Sequence, residues 1–343
     1  MGNGKALAVN NPAFLRFGPS SRLMDREHGG KMAQKAFWLI LLTIFLVGCA
    51  TISQGGAVGY VNLNDLQPLP SPITNDIRPL RVAIAAVISP QGSAESYAPL
   101  LDYLSRKLDR PVERVQRRTY SEVNDLIRRG EVDMAFVCTS SYLVGSLEFG
   151  MQLLAAPQVN GDVTYRAIII VPSESPAQSF ADLRGKVFAF TDPISFSGRV
   201  YPTYLLQEIE ETPATFFSRT FFTYSHDDAI QAVADGLADG ASVDSLVLDF
   251  ALKREPTLRT HIRMIHTSPP FGMPPVVISP TIRPQLRALL EETLLNMDQD
   301  AEGRAALDAL DYERFVPAST QDYKSAEAVE AAVGDAIPNT LEP

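Results

Sequence analysis

Ser195, Ser197 and Gly198 stand in the run Asp192-Pro193-Ile194-Ser195-Phe196-Ser197-Gly198, directly after the apolar segment Val187–Phe190. The order reads as a buried strand, a tight turn of small hydroxyl residues, and a helix start. Such a turn aims two serine O–H groups and the amides of Phe196, Ser197 and Gly198 at one spot. The positive end of a helix dipole suits that spot to an anion. Pro202 fits either the first residue of the helix or a bend in its first turn. His226 follows the strand-like run Arg219–Tyr224 and opens a helix, with Ser225 and Asp228 spaced as a capping box. It could donate to the same anion. Asp244 follows Gly240–Val243 and could accept from a ligand O–H or ammonium, or cap the next helix. Thr139, Ser140, Ser141 and Tyr142 follow the apolar run Asp133–Cys138, the hydroxyl-rich stretch Ser89–Tyr97 follows the first strand, and Tyr165 heads another. Each alone fits ordinary turn or cap chemistry. Their shared place at strand C-terminal ends, where ligands of open α/β sheets bind, is what links them.

The elements that position these residues alternate. Leu80–Val87 is a continuous apolar run, as a strand buried on both faces requires. A helix over Tyr97–Leu108, a strand at Val112–Gln116, a helix over Tyr120–Arg129, the strand Asp133–Cys138 and a helix from Ser141 follow. Tyr165–Val171 predicts a strand, and strands at 186–190, 219–224 and 240–243 alternate with helices after it. Ile262–His266 and Pro275–Ser279 read as strands, and helices near Gln285–Asn296 and Ser325–Val333 finish the chain. This is α/β alternation with parallel sheets. Two such blocks joined by extended segments near 168–173 and 273–279 predict two lobes around a cleft: lobe 1 from 78–167 plus 279–343, lobe 2 from 168–278.

A chain of 343 residues is long enough for two lobes. With 30 Lys and Arg against 40 Asp and Glu, it is a poor nucleic-acid binder. Arg114, Arg117 and Arg118, its densest basic run, read as a solvated face. Residues Ala36–Gly48 form an apolar run too short to span a bilayer, with Lys31 and Lys35 before it and Cys49 after it. That is a signal-peptide pattern. Leu46-Val47-Gly48-Cys49 resembles the bacterial lipobox, which implies acylation of Cys49 and removal of 1–48; Met32 is a plausible start. Residues 49–77, stiffened by Pro68, Pro70 and Pro72, read as a tether. With Cys49 lipidated, Cys138 has no disulfide partner. No G-x-S-x-G, S-x-x-K or H-E-x-x-H occurs, and no Cys or carboxylate cluster completes a metal set around His261 and His266. No cofactor, metal or catalytic residue is expected.

Taken together, these residues resemble the phosphate/phosphite/phosphonate-binding component of bacterial ABC importers. The marks are Asp192–Gly198 with Pro202, the pair His226-Asp227, the triplet Val243-Asp244-Ser245, and Ser268-Pro-Pro-Phe-Gly-Met-Pro-Pro-Val276. Asp182-Leu-Arg-Gly-Lys186, Asp133-Met-Ala-Phe136 and Tyr165 add to them, and the likeness runs from Leu80 to Tyr323. It implies a two-lobed type II periplasmic-binding-protein fold with the ligand cleft between the lobes. It also implies that Ser195, Ser197 and His226 hold an oxyanion, with Tyr165 nearby. Phe196 stands where the family has Thr or Ser, which removes a hydroxyl, adds a ring and puts the anion's identity in doubt. The implied protein is a monomer, lipid-anchored, facing the periplasm or cell exterior, and handing a phosphonate, phosphite or phosphate to an ABC permease. A sensory module presenting ligand to a receptor kinase is the alternative; a hydrolase is a third reading without a motif to support it.

Overall fold

In the computed structural model, which describes residues 78–334, the run Leu80–Ile84 forms strand β1, buried except for Arg81. The signal segment 1–48, Cys49 and the tether 49–77 lie outside the described residues. Helix α1 (Pro90–Lys107) begins well before the apolar periodicity at Tyr97. Ser89 accepts from the Gly92 N–H at 3.4 Å, and Pro90 supplies a preset φ at the first helical position. The stretch Ser89–Tyr97 is therefore cap and helix rather than an open hydroxyl-rich loop. Strands β2 (Val112–Gln116) and β3 (Met134–Phe136) flank β1 in parallel. Helix α2 (Tyr120–Arg128) joins them, fixed at its start by a Thr119–Glu122 capping box. Helix α3 (Thr139–Phe149) and strand β4 (Gln152–Gln158) follow.

The chain then crosses to a second sheet. Strands β5 (Thr164–Tyr165) and β6 (Ala167–Pro172) are one run in hydropathy. They separate at Arg166, whose N–H donates to Ser245 Oγ while its carbonyl accepts from the Ser245 N–H. The second sheet contains β6, β7 (Val187–Phe190), β8 (Arg219–Phe222), β9 (Gly240–Asp244) and β10 (Ile262–Thr267), in the order β10-β6-β9-β7-β8. Helices α4 (Tyr201–Gln207), α5 (His226–Ala234) and α6 (Ser245–Arg254) belong to it. The return passes through β11 (Phe271–Gly272), which pairs with β5 as a two-stranded ribbon. Strand β12 (Val276–Ile278) then inserts between β3 and β4 of the first sheet. The lobe boundary therefore falls ahead of Val276 and not at 279, and the crossings are 159–166 and 268–275. An apolar triplet such as Val276-Val277-Ile278 carries no mark of which sheet it will join.

Helices α7 (Pro284–Leu295) and α8 (Ala301–Asp308), strand β13 (Arg314–Val316) and helix α9 (Lys324–Val333) complete the first lobe. Its sheet order is β13-β4-β12-β3-β1-β2. Helix α9 packs on α3 and also on α4 of the second lobe, where Gln207 Nε2 donates to Val333 O at 3.2 Å. One core cluster runs through both lobes, from Val123 and Ala135 to Phe196, Tyr201 and Phe271. No helix among the described residues is long and apolar enough to cross a membrane.

Candidate functional site

Four helical starts meet where the lobes face each other: α2 at Tyr120, α3 at Thr139, α5 at His226, and the turn at Phe196 that leads into α4. Their contacts tie them together. Asp192 Oδ2 accepts from the Tyr120 N–H of the other lobe at 3.0 Å, and Oδ1 accepts from the Ile194 N–H at 3.0 Å. The Phe196 N–H points at Cys138 Sγ, the cap residue of α3, at 3.3 Å. The His226 N–H donates to Val87 O at 3.0 Å. The lobes are closed on one another.

Ser195 caps its turn by accepting from the Gly198 N–H at 3.2 Å. The following turn is wide: Val200 N–H reaches Ser195 O, and Tyr201 N–H reaches Phe196 O, five residues back. Pro202 lies in the first turn of α4 and has no N–H to continue this ladder. The carbonyls it leaves free are taken within the lobe: Ser242 Oγ donates to Ser197 O, and the Thr191 N–H to Gly198 O. Gly198 has a packing reason. A Cβ there would lie 1.8 Å from Thr191 Oγ1. The glycine thus admits Thr191.

His226 is buried, and its Nδ1 accepts from the Asp244 N–H at 3.0 Å. That bond puts the ring proton on Nε2, which lies 3.4 Å from Ser195 Oγ. Burial lowers the imidazole pKa to about 3, so the ring is a neutral donor. Asp244 caps α6 through Oδ1, which accepts from Leu246 and Val247 N–H at 2.7 and 3.4 Å. Burial raises its pKa to about 7, and that of Asp192 to about 6. The nearby Arg199 turns away; its guanidinium lies 4.4 Å over the Phe190 ring and bonds Thr203 at 3.1 Å. Helix dipoles and neutral donors therefore set the polarity of this spot.

Several of its donors have no partner among the described residues. The hydroxyls of Tyr120, Ser141, Tyr165, Thr191 and Ser197 are buried and unpaired among the described residues. The Tyr165 hydroxyl lies beside Thr139 and Ser197, and the Tyr120 hydroxyl lies near Tyr165 and Cys138. Burial pushes both phenols well above their ordinary pKa, so both remain O–H donors. Leaving such a hydroxyl unmade costs about 1–3 kcal/mol. A tetrahedral oxyanion is a ligand whose lone pairs satisfy several of them at once.

Of the residues selected from sequence, Tyr165, Ser195, Ser197 and His226 lie together here, with Asp244 behind His226, while the Ser141 hydroxyl is buried in the first turn of α3. Others are engaged elsewhere. Thr139 Oγ1 donates to Gly272 O of the ribbon at 2.9 Å, and Ser140 Oγ bonds Glu330 of α9. The Tyr142 ring packs at a tilt against Tyr323, 4.9 Å between centroids, with its hydroxyl near Ser146. The Phe196 ring packs edge-on against Phe271 at 4.7 Å, inside the core shared by the lobes. Its amide is held by Cys138, whose thiol burial pushes up to about 12. Tyr120 and Thr191 are absent from the sequence-based set. Tyr120 stands just past the C-terminal end of β2, so the rule that selected its neighbours reaches it too; its aromatic body reads instead as the first core residue of a helix.

Comparison with known proteins identifies the family. Residues 82–323 match the family described as ABC transporter, phosphonate, periplasmic substrate-binding protein. The phosphate-import protein PhnD of Mycolicibacterium smegmatis is 28% identical over 192 residues, which cover 52% of this chain and 60% of that protein. A binding component of a Pseudomonas aeruginosa ABC phosphonate transporter superposes with a TM-score of 0.69 at 20% identity, over 73% of this chain and 85% of that one. PhnD1 of Prochlorococcus marinus, solved in complex with methylphosphonate, superposes with a TM-score of 0.68 at 20% identity, over 74% and 97% of the two chains. These structures share the type II periplasmic-binding-protein fold with it. The chain belongs to the family of periplasmic substrate-binding proteins of phosphonate ABC transporters.

Proposed function

We propose that this protein is a lipid-anchored receptor that captures a small phosphorus oxyanion, of the phosphonate, phosphite or phosphate class, for an ABC permease. The observation that carries the reading is the set of buried hydroxyls on Tyr120, Tyr165 and Ser197, unpaired among the described residues and grouped near Ser195 and His226 Nε2 where helical starts meet. Neutral donors and helix dipoles bind such anions without a basic side chain. Phosphate import by one relative and bound methylphosphonate in another are consistent with this class. Ser197→Ala and His226→Ala should each weaken binding about tenfold, the scale of one hydrogen bond to a charged group. Calorimetry with methylphosphonate, phosphite and phosphate measures this; wild-type affinity in both variants would overturn the site. The anchor rests on Leu46-Val47-Gly48-Cys49. Cys49→Ser should release the protein from the membrane fraction, and retention there would refute the lipid.

A further inference from the structure

The starts of β1 and β3 and the end of β12 lie at the edge of the first sheet remote from the cleft, because β12 runs antiparallel to β3. A cavity of about 630 Å³ opens there, within the range of about 300–1,000 Å³ common to ligand pockets. Its polar wall is Arg78, Arg110, Asp133, Ser279, Thr281 and Arg283. Three guanidinium groups thus stand against one carboxylate, in a chain whose acids outnumber its bases by 40 to 30. Arg110 is held in place. Its side chain is 11% exposed, Nε donates to Arg78 O, and Nη2 donates to Pro79 O at 3.1 Å. Asp133 Oδ2 accepts from the Arg81 N–H at 2.8 Å and lies 3.9 Å from Arg110 Nη2, so Arg110 balances the carboxylate. Arg78 and Arg283 are left over, and neither has an ion-pair partner among the described residues. Arg283 is also the N-cap residue of α7 and makes no side-chain capping bond, so the first-turn amides of that helix add to the positive potential of the same wall. Ser279 Oγ and Thr281 Oγ1 bond each other at 2.9 Å. That bond uses one of the two hydroxyl protons and leaves the other free to donate.

We propose that this cavity is a second anion site, which takes a phosphate ester of the glycerophosphate type, either free in solution or as the headgroup of a lipid. It lies apart from the cleft and does not depend on the anion cradle. Guanidinium forks pair with phosphate oxygens two at a time. A phosphate offers enough oxygens for Arg78, Arg283 and the free hydroxyl together, whereas a carboxylate is used up by one fork. Inorganic phosphate would leave most of the space unfilled. A glycerol group fills more of it, against the side chains of Val132, Ile282 and Leu286. Arg78 also begins the described chain, so the link towards Cys49 leaves from the rim of the cavity. A protein anchored through Cys49 can therefore turn this end of the first lobe to the membrane that holds it.

Two measurements on the full chain carrying Cys49→Ser, with methylphosphonate present in excess to occupy the cleft, test this. Calorimetry with glycerol 1-phosphate reads the free ester. Flotation with vesicles of phosphatidylglycerol, against vesicles of phosphatidylcholine, reads the headgroup. Binding is expected in at least one arm, and the double variant Arg78→Glu, Arg283→Glu should weaken it at least about tenfold. Both positions are exposed, so the variant should keep its fold and bind methylphosphonate within about twofold of wild type. Calorimetric binding without flotation assigns the site to a free ester, and flotation on phosphatidylglycerol alone assigns it to a headgroup. No binding in either arm, or binding that the double variant leaves within about twofold of wild type, would overturn the site. Succinate bound as tightly as glycerol 1-phosphate would overturn its assignment to phosphate. Loss of methylphosphonate binding alone, with glycerol 1-phosphate still sensitive to the double variant, would overturn the cradle and leave this site standing.

Discussion

Tyr120 and Tyr165 separate function from stability at single residues. Each buries a hydroxyl without a hydrogen-bond partner among the described residues. Tyr120→Phe and Tyr165→Phe remove an unmet donor and little volume, so ligand-free melting temperatures should stay level or rise by a few degrees. The same changes should weaken anion binding about tenfold. A drop in stability alongside unchanged affinity would mean that these hydroxyls serve packing. His226 gives the second test at this scale. Its folded pKa of about 3 lies below the ordinary 6.5, so the unfolded chain binds the extra proton. Its contribution to stability is complete above about pH 6.5 and is lost as pH falls towards 3, reaching about 2 kcal/mol by pH 5. Asp192 and Asp244 act oppositely: their folded pKa values of about 6 and 7 lie above 3.8, so they favour the fold at acid pH and lose that effect as pH rises through those values. Between pH 7.5 and 5 the stability change, read from urea midpoints, should be about 2 kcal/mol more favourable in His226→Gln than in wild type. Nitrogen NMR should find the Nε2–H tautomer throughout; a ring that titrates near 6.5 would refute the buried neutral donor.

At the scale of elements, the wide turn from Phe196 to Val200 owes its shape to Pro202 and Gly198 together. Proline breaks the ladder, and the missing Cβ lets Thr191 dock against the turn. Gly198→Ala should cost about 3 kcal/mol through overpacking, read from urea denaturation. Combining it with Thr191→Ala should recover at least about 1 kcal/mol, because the closest clash is with Oγ1. Additive losses would place the strain elsewhere. The turn itself was legible in the sequence, since small hydroxyl residues and Gly after a buried apolar strand have few other uses. Its packing reason was not, because Thr191 reads as the end of that strand. Helix α1 starts earlier than its apolar periodicity, because Ser-Pro-Gln-Gly has the composition of a loop but caps a helix. Helix α8 and strand β13 carry little local signal because they are short and their partners α1 and β4 lie far away in sequence. The two-lobed α/β order was legible because each buried strand and its following helix carry local periodicity. The register of β12 depends on β3 and β4, and no local signal reports it.

At the scale of the molecule, the contacts across the cleft differ in what they can hold. The ion pairs Glu95–Arg254 at 3.4 Å and Lys253–Asp311 at 3.2 Å are solvent-exposed, so each contributes little to closure. The Ser89 N–H, by contrast, donates to Asp227 Oδ1 at 2.8 Å, a charge-assisted bond between the first lobe and the start of α5. The carboxylate also lies in the first turn of α5, one residue from His226, so the lobe contact and the anion donor move as one unit. A bond made only in the closed form slows ligand release and leaves encounter unchanged. Asp227→Ala should therefore raise the release rate of methylphosphonate about tenfold with an association rate within about twofold of wild type, by stopped-flow displacement. Arg254→Ala should change release less than about twofold. Small-angle scattering of ligand-free Asp227→Ala should show a larger radius of gyration than wild type, because the closed form has lost its strongest outer contact. Equal release rates in the two variants would assign closure to α9 instead, whose Val333 carbonyl holds Gln207 of the second lobe.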